Sequence, residues 1–328
     1  MPELLVICLA GLPGWAKAGA TPELDSAEQI GWIRGFPDAG VPILTQGRLI
    51  WLIKKDTVFC YDLDGSLIAR SERGFSLATG LAFNEQTRRL CVASVAGLYI
   101  LDTGASVLFH QDIRKTYGIP PQSGSGFLFL SACGDGFVLS SYNKAEGNAL
   151  NLFDRNGEFI ASFGEPVDAP DKQDIPAYFL CPVGIAAGGD FVLGVNPYTL
   201  DLLIYENETL THEVNMGLPK EVVQGAAPRV DVSVSAGGDS SMGASYHAVV
   251  RTEIRDGLAL VWVRPDATLS RDEAYLLAVD VKKGKVLNTM RLDMSGTSMS
   301  FLGLDPDGGL LFWSREGIFR VPVIPRPK

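Results

Sequence analysis

The sequence predicts an all-β chain, a six-bladed β-propeller with four-stranded antiparallel blades and an N-terminal strand closing the last blade. Three observations predict it. A strand–turn–strand unit recurs along almost all of the 328 residues. The strands are apolar on both faces. The last unit is one strand short, while the N-terminal region has one strand to spare. A repeat of this size marks an array of small sheets rather than one mixed domain. Strands apolar on both faces suit sheets stacked face to face around an axis.

The blades are read in chain order. Blade 1, about 41–71, ends in TVFCYDLDGSLIARS (57–71), which turns at Asp64-Gly65. Blade 2, about 78–110, joins GLAFNEQTRRLCVAS (80–94) to GLYILDTGASVLF (97–109). Blade 3, about 126–163, joins FLFLSACGDGFVLSS (127–141) to NALNLFDRNGEFIASF (148–163), turning at Asn156-Gly157. Blade 4, about 182–214, joins VGIAAGGDFVLGV (183–195) to DLLIYENETLTHEV (201–214). Blade 5, about 246–292, joins AVVRTEIRDGLALVWV (248–263) to EAYLLAVDVKKGKVLNTM (273–290), turning at Lys283-Gly284. Asn-Gly and Asp-Gly pairs supply the positive φ angles of tight hairpins. Blade 6, about 299–323, has FLGLDPDGGLLFWS and GIFRVPV, three strands only. Its fourth strand is expected from Gln29–Phe36 (QIGWIRGF), which leaves no open sheet edge.

Composition bounds the function. A hydrophobic content of 46% and a mean hydropathy of +0.15 fit a folded core. The net charge of −10 lacks the basic footprint of a nucleic-acid binder. Leu4–Leu12 is an apolar run too short to span a bilayer as a helix, and Ala18-Gly19-Ala20 follows it as a small-residue cleavage site. Residues 1–20 therefore read as a secretory signal peptide, although Met1-Pro2-Glu3 carries no positive charge. Residues 21–328 read as one propeller domain, exported to the periplasm or beyond, monomeric and without a transmembrane segment. Cys60, Cys91, Cys133 and Cys181 lie in or beside apolar strands with no C-x-x-C spacing, so they read as buried free thiols.

The order Pro182-Val183-Gly184-Ile185-Ala186, Asp190-Phe191-Val192-Leu193, Leu203-Ile204-Tyr205 resembles an NHL repeat. Gly80-Leu81-Ala82-Phe83, then Leu90–Ser94, then Gly97–Asp102 resembles the gluconolactonase-like (TolB-like) six-bladed propellers. That resemblance implies a divalent cation held in the central channel by Glu, Asn and Asp. Thr79 and Ser94 stand at two of the implied ligand positions, and oxygen-rich cation sites need several ligands together. No cofactor is therefore expected, Ca2+ being the ion to test, with Glu316, Asn143, Asn196 and Asp56 as substitute ligands.

The b–c loops and d–a connections of a propeller share one face. On that face the sequence places Lys54, Asp56, Tyr142, Asn143, Asn196, Tyr198, Arg264, Arg315 and Glu316, with His247 at the start of blade 5. Rings and charged donors around one mouth suit an anionic or glycan-like ligand. His110 and His212 fall on outer strands. No G-x-S-x-G, H-E-x-x-H or phosphate-binding glycine loop occurs. Segment 215–245 is too long for a plain connection and reads as a lid, a partner-binding loop or a surface insertion. The expected function is a non-enzymatic module that binds a protein, peptide or glycan. The alternatives are a metal-dependent lactonase or esterase and a structural subunit of an assembly.

Overall fold

Two-residue turns set the hairpins. Lys55 and Asp56 have φ of 47° and 63°, and Asn207 and Glu208 have 48° and 67°. Paired positive φ angles match the right-handed twist of the flanking strands. The computed structural model describes residues 28–31, 33, 43–119, 129–168, 180–226, 228–234, 240–245, 248–265, 273–294, 300–305, 309–314 and 316–321.

Six four-stranded antiparallel sheets form a ring. Blade 1 is β2 (Ile43–Gln46), β3 (Leu49–Lys54), β4 (Thr57–Asp62) and β5 (Leu67–Arg70). Blade 2 is β6 (Ala78–Asn84), β7 (Arg89–Ser94), β8 (Gly97–Leu101) and β9 (Val107–Gln111). Helix α1 (Ile113–Tyr117), capped by the Asp112 side chain on the Lys115 amide, follows it. Blade 3 is β10 (Leu130–Cys133), β11 (Gly136–Asn143), β12 (Asn148–Phe153) and β13 (Phe159–Phe163). Blade 4 is β14 (Val183–Gly188), β15 (Phe191–Val195), β16 (Leu202–Glu206) and β17 (Thr209–Val214). Blade 5 is β20 (Ala248–Arg255), β21 (Leu258–Pro265), β22 (Glu273–Asp280) and β23 (Lys285–Asp293). Blade 6 is β24 (Ser300–Leu304), β25 (Leu310–Ser314) and β26 (Gly317–Val321), completed by β1 (Glu28–Gly31).

The closure is the one expected, with the strand placed at Glu28–Gly31; residues 32 and 34–36 of the expected span lie outside the described residues. Glu28 pairs with Arg320 and Gln29 with Phe319. Gln29 Nε2 also donates to the Glu316 carbonyl at 2.9 Å. Two glycines show that β1 is a true outer strand. A Cβ on Gly97 would lie 2.1 Å from the carbonyl oxygen of Gln111, the last residue of β9. A Cβ on Gly317 would lie 2.6 Å from that of Gly31, the last residue of β1. The same close approach recurs at the same place in a blade made of one continuous stretch and in the blade made of two.

Apolar clusters seal each joint of the ring. Trp51 of blade 1 stacks on Phe83 of blade 2 at 5.8 Å. Trp262 of blade 5 packs on Phe301 and Phe312 of blade 6 at 5.9 and 5.7 Å. Ile43 and Leu52 meet Leu311 and Trp313, joining the last blade to the first. Polar ties reinforce these joints. Asn84 Nδ2 donates to the carbonyls of Gly134 and Gly136, and Ser140 Oγ donates to that of Pro182 at 2.6 Å.

The 215–245 segment begins with α2 (Lys220–Ala226) and continues as a hairpin of β18 (Arg229–Val234) and β19 (Ser240–Ser245). Residues 235–239, between the two strands, lie outside the described residues. None of the four later cysteines forms a disulfide among the described residues, and Cys60, Cys91 and Cys181 are buried. Burial pushes the Cys60 thiol up to about 12 and raises those of Cys91 and Cys133, so these thiols stay protonated at neutral pH.

Candidate functional site

Each blade gives its first strand to the axis, and the six first strands line a channel. At the a–b end of that channel lies a cavity of about 690 Å³. All six inner strands contribute to its wall, among them Ile43 and Thr45, Leu81, Ser131, Ala186, Glu253 and Leu302. Exposed residues of the a–b turns, such as Gly47, Glu85 and Gly189, form its rim. The size falls in the usual range for small-molecule sites.

One inner strand differs from the rest. β20 carries Arg251, Glu253 and Arg255 at alternate positions, so all three leave the same side of the strand. Two residues of strand advance about 6.6 Å, which sets three charges in a ladder from rim to depth. Arg255 is exposed at the rim, Glu253 is half-buried and Arg251 is only 8% exposed. The Arg251 Nη1 reaches across to the Ile43 carbonyl at 3.3 Å, its only hydrogen bond among the described residues. Burial lowers its pKa to about 10, so it remains a cation at neutral pH.

Glu253 faces blade 6. Its Oε2 accepts the Leu304 amide at 2.9 Å. Gly303 makes room for it: a Cβ there would stand 2.9 Å from Glu253 Oε2 and 2.5 Å from Thr45 Oγ1, at a φ of 154°. Burial pushes the Glu253 carboxyl up to about 7, against smaller lowering effects from the Leu304 amide and the Arg255 guanidinium. Thr45 Oγ1 in turn donates to the Leu302 carbonyl at 3.2 Å, tying blade 1 to blade 6 beside this carboxyl.

Those residues expected from the sequence that are described sit at the other end, at the b–c ends of separate blades. Lys54 is half-buried, and Asp56 is exposed, its carbonyl accepting the Phe75 amide at 2.5 Å. Tyr142 is half-buried. Asn143 is buried, and its Oδ1 accepts the Ala145 amide at 3.0 Å. Asn196 is likewise buried and accepts the Tyr198 amide at 2.9 Å. Both asparagines shape their own turns. Tyr198 is 5% exposed and packs with Val138, Ile185 and Leu203, so its ring is a core element. Arg264 is half-buried near the end of β21, and Glu316 is exposed at the start of the last turn. His247 and Arg315 lie outside the described residues. Of the two positions implied as cation ligands by the family resemblance, Ser94 Oγ accepts the Ala96 amide at 3.1 Å, and Thr79 Oγ1 is buried without a hydrogen-bond partner among the described residues. Among the described residues no three His, Cys, Asp or Glu side chains gather into a metal-binding group.

The sequence did hold a signal for the charge ladder. The inner strands ILTQ, ATGLAFN, LSAC, VGIAAG and SFLGL carry no charge, while AVVRTEIR carries three. A strand placed first in a blade and charged at every second residue departs from its own repeat.

No protein-family model matches the chain, and no curated protein matches it. Among solved structures it is similar to a Bacteroides fragilis protein named for its assumed export, at 12% identity over 82% of this chain and 75% of that one, with a TM-score of 0.46. It is similar to the β-propeller domain of Myceliophteria thermophila Cps50 (Swd1), at 12% identity over 92% and 90%, with a TM-score of 0.49. A computationally designed protein, Ika8, aligns at 11% identity over 90% and 100%, with a TM-score of 0.41. The fold assignment rests on the chain's own strand order.

Proposed function

We propose that this chain is an exported, non-catalytic binding propeller of the NHL or gluconolactonase-like kind that takes part of a peptide or glycan ligand into its central channel from the a–b side. One observation carries the reading: the channel cavity holds a deeply buried guanidinium with a single hydrogen-bond acceptor among the described residues. Buried polar groups are nearly always satisfied, and an exception asks for a partner from outside. Export rests on Leu4–Leu12 and Ala18-Gly19-Ala20, which precede the described residues.

The test is an array of peptides and glycans probed with the purified chain and with Ala132→Trp, which narrows the cavity from β10. Ligands should bind the wild type and lose roughly tenfold or more in affinity in the variant, an ordinary cost for blocking a buried contact region. Tyr142→Ala, on the opposite face, should leave that binding unchanged. Ligands insensitive to Ala132→Trp but lost in Tyr142→Ala would overturn the channel reading in favour of the b–c face. A clear rise in Tm with calcium after chelation would favour the metal-dependent lactonase instead, because a ligand specific for the native state stabilises it.

A further inference from the structure

We propose that the deep end of the channel is a carboxylate subsite, in which Arg251 takes the carboxylate of a small monoanionic ligand and Glu253 holds a hydroxyl or ammonium group of the same ligand. The inference rests on the channel reading above and adds the chemistry of what enters it.

A guanidinium offers five N–H donors in a rigid fork. Arg251 places one of them on the Ile43 carbonyl at a long 3.3 Å. It has no carboxylate partner among the described residues, although it is only 8% exposed. Burying a cation without an anion is costly, and a carboxylate met edge-on by the fork is the partner that geometry fits best.

The surroundings select against a phosphate. One guanidinium lies deep in the cavity, and a carboxyl stands two residues away on the same side of β20. A dianion would face that carboxyl across a short distance in a poorly solvated space. A monoanion balances the single deep cation. Much of the remaining wall is aliphatic or small, with Ile43, Leu81, Ile185 and Leu302 around the cavity, which suits a ligand with one charged end and a compact body. Arg255 at the exposed rim draws such an anion towards the mouth.

Two matched pairs of probes separate the carboxylate from the body that bears it: benzoate against benzamide, and glucuronate against glucose. Phenyl phosphate serves as a third arm. Each is titrated into the full chain by ligand-observed NMR. At least one carboxylate should bind saturably, with its neutral counterpart about tenfold weaker or worse, the scale of a charge-assisted hydrogen-bond pair. Arg251→Gln should lose that preference. Arg251→Lys should retain part of it, since a point charge remains without the fork. If Arg251→Gln does not fold, the wild-type pairs and Arg251→Lys decide the matter. Neither carboxylate outbinding its neutral partner, phenyl phosphate outbinding benzoate, or a folded Arg251→Gln that binds as the wild type would each overturn the subsite. If array ligands still enter the channel while both carboxylates fail, the subsite falls and the channel reading stands.

Discussion

β14 and β20 are neighbours on the axis, and they show how one strand position serves two ends. β14 reads VGIAAG, small and uncharged; β20 reads AVVRTEIR. The small residues of β14 accept one side of β20. A Cβ on Gly184 would lie 2.8 Å from Val250 Cγ1, and one on Gly188 would lie 2.7 Å from Ile254 Cγ2. With Val250, Thr252 and Ile254 committed to blade 4, strand alternation sends Arg251, Glu253 and Arg255 the other way. There Gly303 of blade 6 leaves the space that Glu253 fills. The charges thus face the channel because glycines on both flanks decide which side of β20 is packed.

The largest expected effect breaks this arrangement from blade 6. Gly303→Ala adds a Cβ against both Thr45 Oγ1 and Glu253 Oε2 at a backbone angle that favours glycine. It should cost about 3 kcal/mol in denaturant unfolding, from strain and overpacking together. A change under about 0.5 kcal/mol would show that Glu253 does not depend on this gap.

Next comes the Glu253 titration. Its carboxyl is raised from 4.5 to about 7, so between those values the native state holds a proton that the unfolded state has released. Stability therefore falls as pH rises from about 4.5 to about 7 and levels off beyond. Glu253→Gln keeps an acceptor for the Leu304 amide and removes the titration. Above pH 7 it should be more stable than the wild type by up to about 3 kcal/mol, and the pH dependence of Tm should flatten over that window. A variant whose Tm tracks the wild type at every pH would place the carboxyl in ordinary solvent.

A smaller effect tests the packed side. Gly188→Ala should cost about 1–2 kcal/mol by pressing on Ile254, and the double variant with Ile254→Ala should be less destabilised than the two single changes predict together. Strict additivity would mean that the two side chains do not compete for the same space. The smallest effect is at Thr252, whose Oγ1 is buried towards Gly184 with no hydrogen-bond partner among the described residues. Thr252→Val should be neutral or stabilising by up to about 1 kcal/mol, as expected when an unsatisfied hydroxyl is replaced by a methyl of the same shape. A clear loss of stability would reveal a polar partner for that hydroxyl.

The b–c turns give the complementary lesson. Asn143 and Asn196 stood out in the sequence as polar residues at loop positions, and both are turn formers whose side chains hydrogen-bond their own backbone. Tyr198 stood out as a loop aromatic and is a core residue, because the chain after β15 folds back and Leu200 donates its amide to the Asn196 carbonyl at 2.9 Å. Sequence position distinguishes loop from strand. It does not tell a side chain that faces solvent from one that folds beneath its own turn.

The sequence by itself determined the architecture: blade number, strand order within each blade and the closure of the last blade by the first strand. These follow from local rules, since hairpin turns need positive φ and a two-faced apolar strand needs a sheet on either side. Even the N-terminal closure was legible, as one missing strand matched one spare strand. Only the tertiary structure decided which end of the channel offers a cavity and which charges it buries. That choice depends on contacts between residues far apart in the chain, Arg251 with Ile43, Glu253 with Leu304, and Gly303 with Thr45. Stacking the blades brings these together, and no repeat read along one strand contains them.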